Sequence, residues 1–221
     1  MQQENAEEAL ERGSAPVINS LLVLNGLAFL FMLAAPQPVL QHFALWPMVQ
    51  DFAGQLPQGF PAGEFRPWQL VTYAFLHGGL FHLFVNMFVL WMFGGAIERT
   101  WGSSRFIAFY LFCVIGAGVV QVLLSSSGFE DPRPSLGASG GVFAILLAFG
   151  MKFPNQIVVL LFPPIPMKAK YFVIFLGILE LLAGVFGTQA GVANFAHLAG
   201  IVFGLLFILL FDRGERPRAG P

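Results

Sequence analysis

Gly137-Ala138-Ser139-Gly140-Gly141 is the stretch on which the reading of this chain turns. Five small residues carry one hydroxyl and open the apolar segment Val142 to Gly150, which reads as a membrane helix. A serine in that setting has two readings. Small-xxx-small spacing, here Gly137 to Gly141, lets two membrane helices approach closely, and taken alone the serine reads as part of such a packing patch. A second patch, Ala196-His197-Leu198-Ala199-Gly200 followed by Gly204, shifts the balance because it holds a histidine. A hydroxyl and an imidazole on two closely packed helices form a nucleophile and a base.

Composition sets the solvent. The chain has 221 residues, 57% of them hydrophobic and 10% charged, with a mean hydropathy of +0.74. That is more apolar surface than one soluble core can bury, so an integral membrane protein is expected, with the lipid bilayer as partner. The net charge is -1, and the basic residues fall in short clusters between apolar runs, a distribution that excludes nucleic acid as a partner. The single cysteine, Cys113, allows no intrachain disulfide. Neither C-x-x-C nor H-E-x-x-H occurs, so a metal site is poorly supported and none is expected. Glu4, Glu7, Glu8 and Glu11 precede Arg12, the wrong charge for a targeting peptide, and the first apolar run is therefore read as a retained span.

Six spans are expected in an all-α bundle: Val17 to Ala35, Leu80 to Ile97, Phe106 to Leu124, the short Ala138 to Met151, Tyr171 to Phe186 and Val192 to Phe211. Residues 17–211 form the membrane domain, between cytoplasmic tails 1–16 and 212–221. No internal repeat is visible, which argues against inverted-repeat transporters. The connection Pro36 to Gly79 is long and aromatic, with Phe43, Trp46, Phe52, Phe60, Phe65, Trp68, Tyr73 and Phe75, and is expected to lie ordered at the membrane interface. Ile157 to Pro166, too short to span, is read as interfacial as well. With the N-terminus cytoplasmic, the inner side receives nine basic residues and the outer side only Arg66 and Arg133, a strong positive-inside bias.

That topology fixes depth. Ser139, His197, His82 and Asn86 all fall within roughly the outer third of the bilayer, on three helices entering from one side. Polar groups at one level in a membrane face the protein interior or a water-filled cavity, and four of them together point to a shared hydrated pocket. His82 and Asn86, four residues apart, share a helix face. Beside Ser139 and His197 they read as donors of an oxyanion hole; without them they read as an interhelical hydrogen bond. No Asp or Glu is expected at that level, since Glu180 counts to the middle of span five, so a serine–histidine dyad is expected rather than a triad. Phe143, one turn after Ser139, is placed to stack on His197 or simply to pack in the core. Glu180 and Glu98 are read as structural, hydrogen-bonded near loops or helix ends.

On these residues the chain resembles the rhomboid intramembrane serine proteases. The resemblance runs from about Pro67 to Phe211. It is carried by His77-Gly78-Gly79-Leu80-Phe81-His82-Leu83-Phe84-Val85-Asn86, by Gly94-Gly95-Ala96-Ile97-Glu98, by Gly137-Ala138-Ser139-Gly140, and by Ala196-His197 with its glycines. It implies a minimal six-span bacterial member, integral to the cytoplasmic (inner) membrane, that cuts other transmembrane proteins without a cofactor. It further implies Ser139 as nucleophile, His197 as general base and acid, an oxyanion hole from His82, Asn86 and the Ser139 backbone N–H, and Gly187 to Asn194 as a cap over the site. Two departures stand out. Trp68-Gln69 replaces the family's Trp-Arg pair, with loss of a charge that would help anchor the first loop, and Phe143 stands where many members stack a tyrosine. The rival readings are an inactive member that binds transmembrane clients and a small transporter using His82, Asn86 and His197 as a polar path.

Overall fold

The computed structural model describes residues 14–48, 63–129, 133–159, 164–186 and 193–211. Residues 1–13 of the N-terminal tail, the tail 212–221, Phe52, Phe60 and most of the expected cap, residues 187–192, lie outside them.

Helix α1, Pro16–Ala34, starts on a proline, whose missing N–H costs nothing in a first turn. Helix α2, Pro36–Phe43, starts the same way after a break at Ala35. Past residue 63 the chain re-enters through a single helical turn, α3, Gln69–Thr72, and a 3-10 turn, Tyr73–Phe75. Helix α4 runs from Leu80 to Trp101 and contains one π-helical turn, Leu90–Gly94. Gly102, with φ of 82°, reverses the chain into α5, Ser103–Ser126. Helix α6, Ser139–Lys152, is followed by a hairpin, α7, Ala169–Phe186, and α8, Asn194–Phe211.

Five of these helices, α1, α4, α5, α7 and α8, are long and apolar enough to cross a membrane, and α6 is a shorter apolar helix of 14 residues. The outward faces are as apolar as the inward ones. Leu27 and Leu30 on α1, Phe81 and Trp91 on α4, Leu182 and Phe186 on α7, and Leu209 on α8 are all exposed. Helices that are hydrophobic all round need lipid as the solvent for their outer side chains.

Between such helices burial alone gives little preference for one contact over another, so shape decides the packing. Helix α6 lies at the centre, with Gly140, Gly141, Val142, Ala144, Ile145, Leu146, Ala148 and Phe149 buried. A side chain at Gly200 would run into the backbone of Gly140, and one at Gly204 would press on Ala144. Helices α6 and α8 therefore touch backbone to backbone along a glycine–alanine seam. On its other side α6 presents Gly141 to Tyr110 and Val114 of α5, and Gly116 of α5 receives the Phe203 ring of α8.

The structure refines two expectations about the connections. Ile157 and Pro166 each open a strand of a two-stranded sheet: β1, Ile157–Val159, pairs antiparallel with β2, Pro166–Lys168. Three consecutive β-branched residues favour the extended backbone, and Pro166, which has no N–H to donate, sits at a strand end. In the first connection, the charge missing at Gln69 is replaced by neutral bonds. The fully buried Gln69 side chain accepts from the N–H groups of Trp46 at 3.2 Å and Arg66 at 3.1 Å, and donates to the carbonyls of His42 at 3.3 Å and Glu64 at 3.0 Å. Trp68 Nε1 adds a bond to the His42 carbonyl at 2.9 Å.

Candidate active site

The turn that delivers the serine is pinned on both sides. Ser135 and Leu45 exchange backbone hydrogen bonds of 2.9 Å. The Gly137 N–H donates to the Tyr73 carbonyl at 2.9 Å, and the Tyr73 hydroxyl is tied to the Val114 carbonyl at 2.8 Å. Gly137 has φ of 130°, and a side chain there would strike the His82 ring, so both backbone and neighbour demand glycine. Ser139 is then the first residue of α6. The Val142 N–H bonds back to the Ala138 carbonyl at 3.0 Å, so the N–H groups of Ser139, Gly140 and Gly141 lie ahead of the helical ladder.

His197 enters one turn into α8. The seam of Gly140, Ala144, Gly200 and Gly204 holds α8 so close that His197 Nε2 lies 2.7 Å from Ser139 Oγ. The Phe143 ring stacks on the imidazole with centroids 4.6 Å apart and planes 14° from parallel. His82 sits against Gly137, beside the serine, and meets the His77 ring edge-on at 5.0 Å. His77, in the turn ahead of α4, is fully buried. Burial first, and the neighbouring His82 second, push its imidazole down to about 4. Asn86 is buried one turn further along α4, and its Nδ2 donates to the His82 carbonyl at 2.9 Å, within its own helix. The structure thus brings Ser139, His197 and Phe143 into contact and sets His82 next to them, while the Asn86 amide has one N–H engaged by the backbone.

One expectation about this site is overturned. A carboxylate does reach it: Glu180 Oε2 lies 2.9 Å from His197 Nδ1 and accepts a hydrogen bond of 2.7 Å from Asn194 Nδ2. Counting residues had placed Glu180 at mid-depth. Six residues separate it from Phe186 at the end of α7, and three separate His197 from Asn194 at the start of α8. At 1.5 Å per residue those are about 9 and about 4.5 Å, an offset that the two side chains bridge. The signal was present in the sequence, since an acid within a membrane helix is a functional candidate by default. Asn194, one turn before His197, was not singled out.

The Rhomboid domain family matches residues 64–213 of this chain. The chain is similar to the presenilin-associated rhomboid-like protein A, mitochondrial, of Danio rerio, with 33% identity over 164 residues, 73% of this chain and 42% of that protein. It is also similar to the rhomboid protease GlpG of Yersinia pestis (strain Pestoides F), with 26% identity over 203 residues, 90% of this chain and 64% of that one. The chain therefore spans less than two thirds of the length of either relative. With the family match covering more than half of its residues and its helices apolar on every side, this integral membrane protein belongs to the rhomboid family.

Proposed function

We propose that the chain is an intramembrane serine endopeptidase that cuts other membrane proteins in or near their transmembrane segments. The observation that carries this reading is the 2.7 Å contact between Ser139 Oγ and His197 Nε2, inside a family that includes proteases. In this mechanism the Ser139 hydroxyl proton passes to His197 Nε2 as Oγ bonds to the scissile carbonyl carbon. The oxyanion forms beside the Ser139 N–H, with His82 and Asn86 as further donors. His197 returns the proton to the leaving amine, and a water then repeats the sequence to release the acid. Phe143 keeps the imidazole in plane throughout.

The same reading makes the short α6 the fourth in chain order of six spans within residues 17–211, leaves the tails in the cytoplasm, and sets the first connection at the interface of a bacterial inner membrane. An impermeant thiol reagent that failed to reach a cysteine at position 133 from outside would reverse this orientation. Substrate helices must open before a carbonyl is exposed, which is cheaper near water and where Gly or Pro weakens the helix by roughly 1 to 3 kcal/mol. Single-span substrates should therefore be cut near their outer boundary, after a small side chain. A model span rewritten in Leu and cut at an unchanged rate would remove helix opening from this account. The decisive experiment for the activity itself is labelling by a serine-directed phosphonate, expected for the native chain and absent in Ser139→Ala; labelling that persists in the variant would defeat the proposal.

A further inference from the structure

Donors and acceptors around a neutral His197 follow from the chemistry of its partners. A carboxylate only accepts, so the proton between Glu180 and His197 is on Nδ1. The neutral ring then has its lone pair on Nε2, and the 2.7 Å contact must be Ser139 Oγ–H donating to it. The carboxylate is held in turn by the Asn194 amide, on the same Oε2 that receives Nδ1–H. Glu180 and His197 side chains are 15% and 11% exposed, so little water competes for these bonds. Three helices meet in this chain of bonds: α6 supplies the hydroxyl, α8 the imidazole and the amide, and α7 the carboxylate.

We propose that Glu180 is a positioning residue that extends the serine–histidine pair into a Ser139–His197–Glu180 triad. The inference rests on the protease reading above. Glu180 holds the tautomer whose Nε2 can take the serine proton, and it faces the positive charge that the ring gains in that step. It stays a carboxylate from start to finish: the proton that moves is exchanged among Oγ, Nε2, the leaving amine and the incoming water. The Asn194 amide keeps the carboxylate aimed at Nδ1.

The test uses the full-length chain, with Ser139→Ala as reference, and reads kcat and KM on a single-span substrate, phosphonate labelling, thermal midpoint and the His197 Nδ1–H proton resonance. Glu180→Gln keeps the shape and a neutral acceptor but removes the charge. It should lower kcat by about 100-fold or more, leave KM within about threefold, and shift the Nδ1–H resonance at an unchanged thermal midpoint. Glu180→Asp, which restores the charge, should recover part of kcat. A kcat within about twofold of native in Glu180→Gln, or a loss that only follows the folded fraction in Glu180→Gln and Asn194→Ala alike, would overturn the triad. Activity that survives in Ser139→Ala would instead sink the protease reading, so the two failures are told apart.

Discussion

Two carboxylates, Glu98 fully buried and Glu180 partly buried, do different work in this bundle. Glu98, in the last two turns of α4, accepts from the Val17 and Ile18 N–H groups, each at 2.9 Å, and from Ser103 Oγ at 2.7 Å. Its donors are the N–H groups of a helix start and a hydroxyl, and no imidazole is among them. It caps α1 and clamps it to the α4–α5 corner. Glu180 accepts from an amide and an imidazole, and the imidazole also touches a hydroxyl at the opening of a helix. Both are glutamates held by hydrogen bonds inside the bundle, so what separates a clamp from a site is the chemistry of the donors.

That contrast can be broken at several points. The largest effect is expected from Gly200→Val, because the new side chain would occupy the Gly140 backbone: both the fold and phosphonate labelling should be lost, read by thermal unfolding and labelling together. Retained labelling there would show that the α6–α8 seam does not set the site. Next comes His197→Ala, which should bring turnover to near background with an unchanged thermal midpoint, since a serine without a base is a weak nucleophile. Glu98→Ala should do the reverse. It should cost about 3 kcal/mol of stability, the value of one or two hydrogen bonds to a charged group, while labelling per folded molecule stays native. A drop in labelling per folded molecule would erase the distinction between the two carboxylates. The smallest effect is expected for Asn86→Ala. Full loss of an oxyanion donor costs about 2.7 to 4 kcal/mol of barrier, and the amide already bonded to the His82 carbonyl should fall below that range in kcat/KM.

Much of this architecture can be read without coordinates because lipid imposes it. Apolar runs of span length mark the long helices, and small residues mark where two of them meet, so Ser139 and His197 stand out as polar atoms within close-packing patches. Glu180 escaped because depth counted along one helix ignores where its neighbour starts and how far two side chains reach. Gln69 looked like a lost anchor because charge is visible in a sequence, whereas four neutral bonds to backbone groups depend on the path of the loop. The hairpin at Ile157–Lys168 was hidden by its prolines, which draw attention to breaks rather than to the β-branched residues beside them.

The π-helical turn at Leu90–Gly94 has an angular consequence for α4. Asn86 and Glu98 are twelve residues apart, and in an uninterrupted helix at 3.6 residues per turn their directions would differ by about 120°. A π turn absorbs about one extra residue, worth about 100° of rotation, and leaves the two about 20° apart. Both residues are buried, Asn86 towards the serine end and Glu98 against α1. The extra residue thus brings the two halves of one helix into phase, so that a single face of α4 serves the candidate site above and the clamp below.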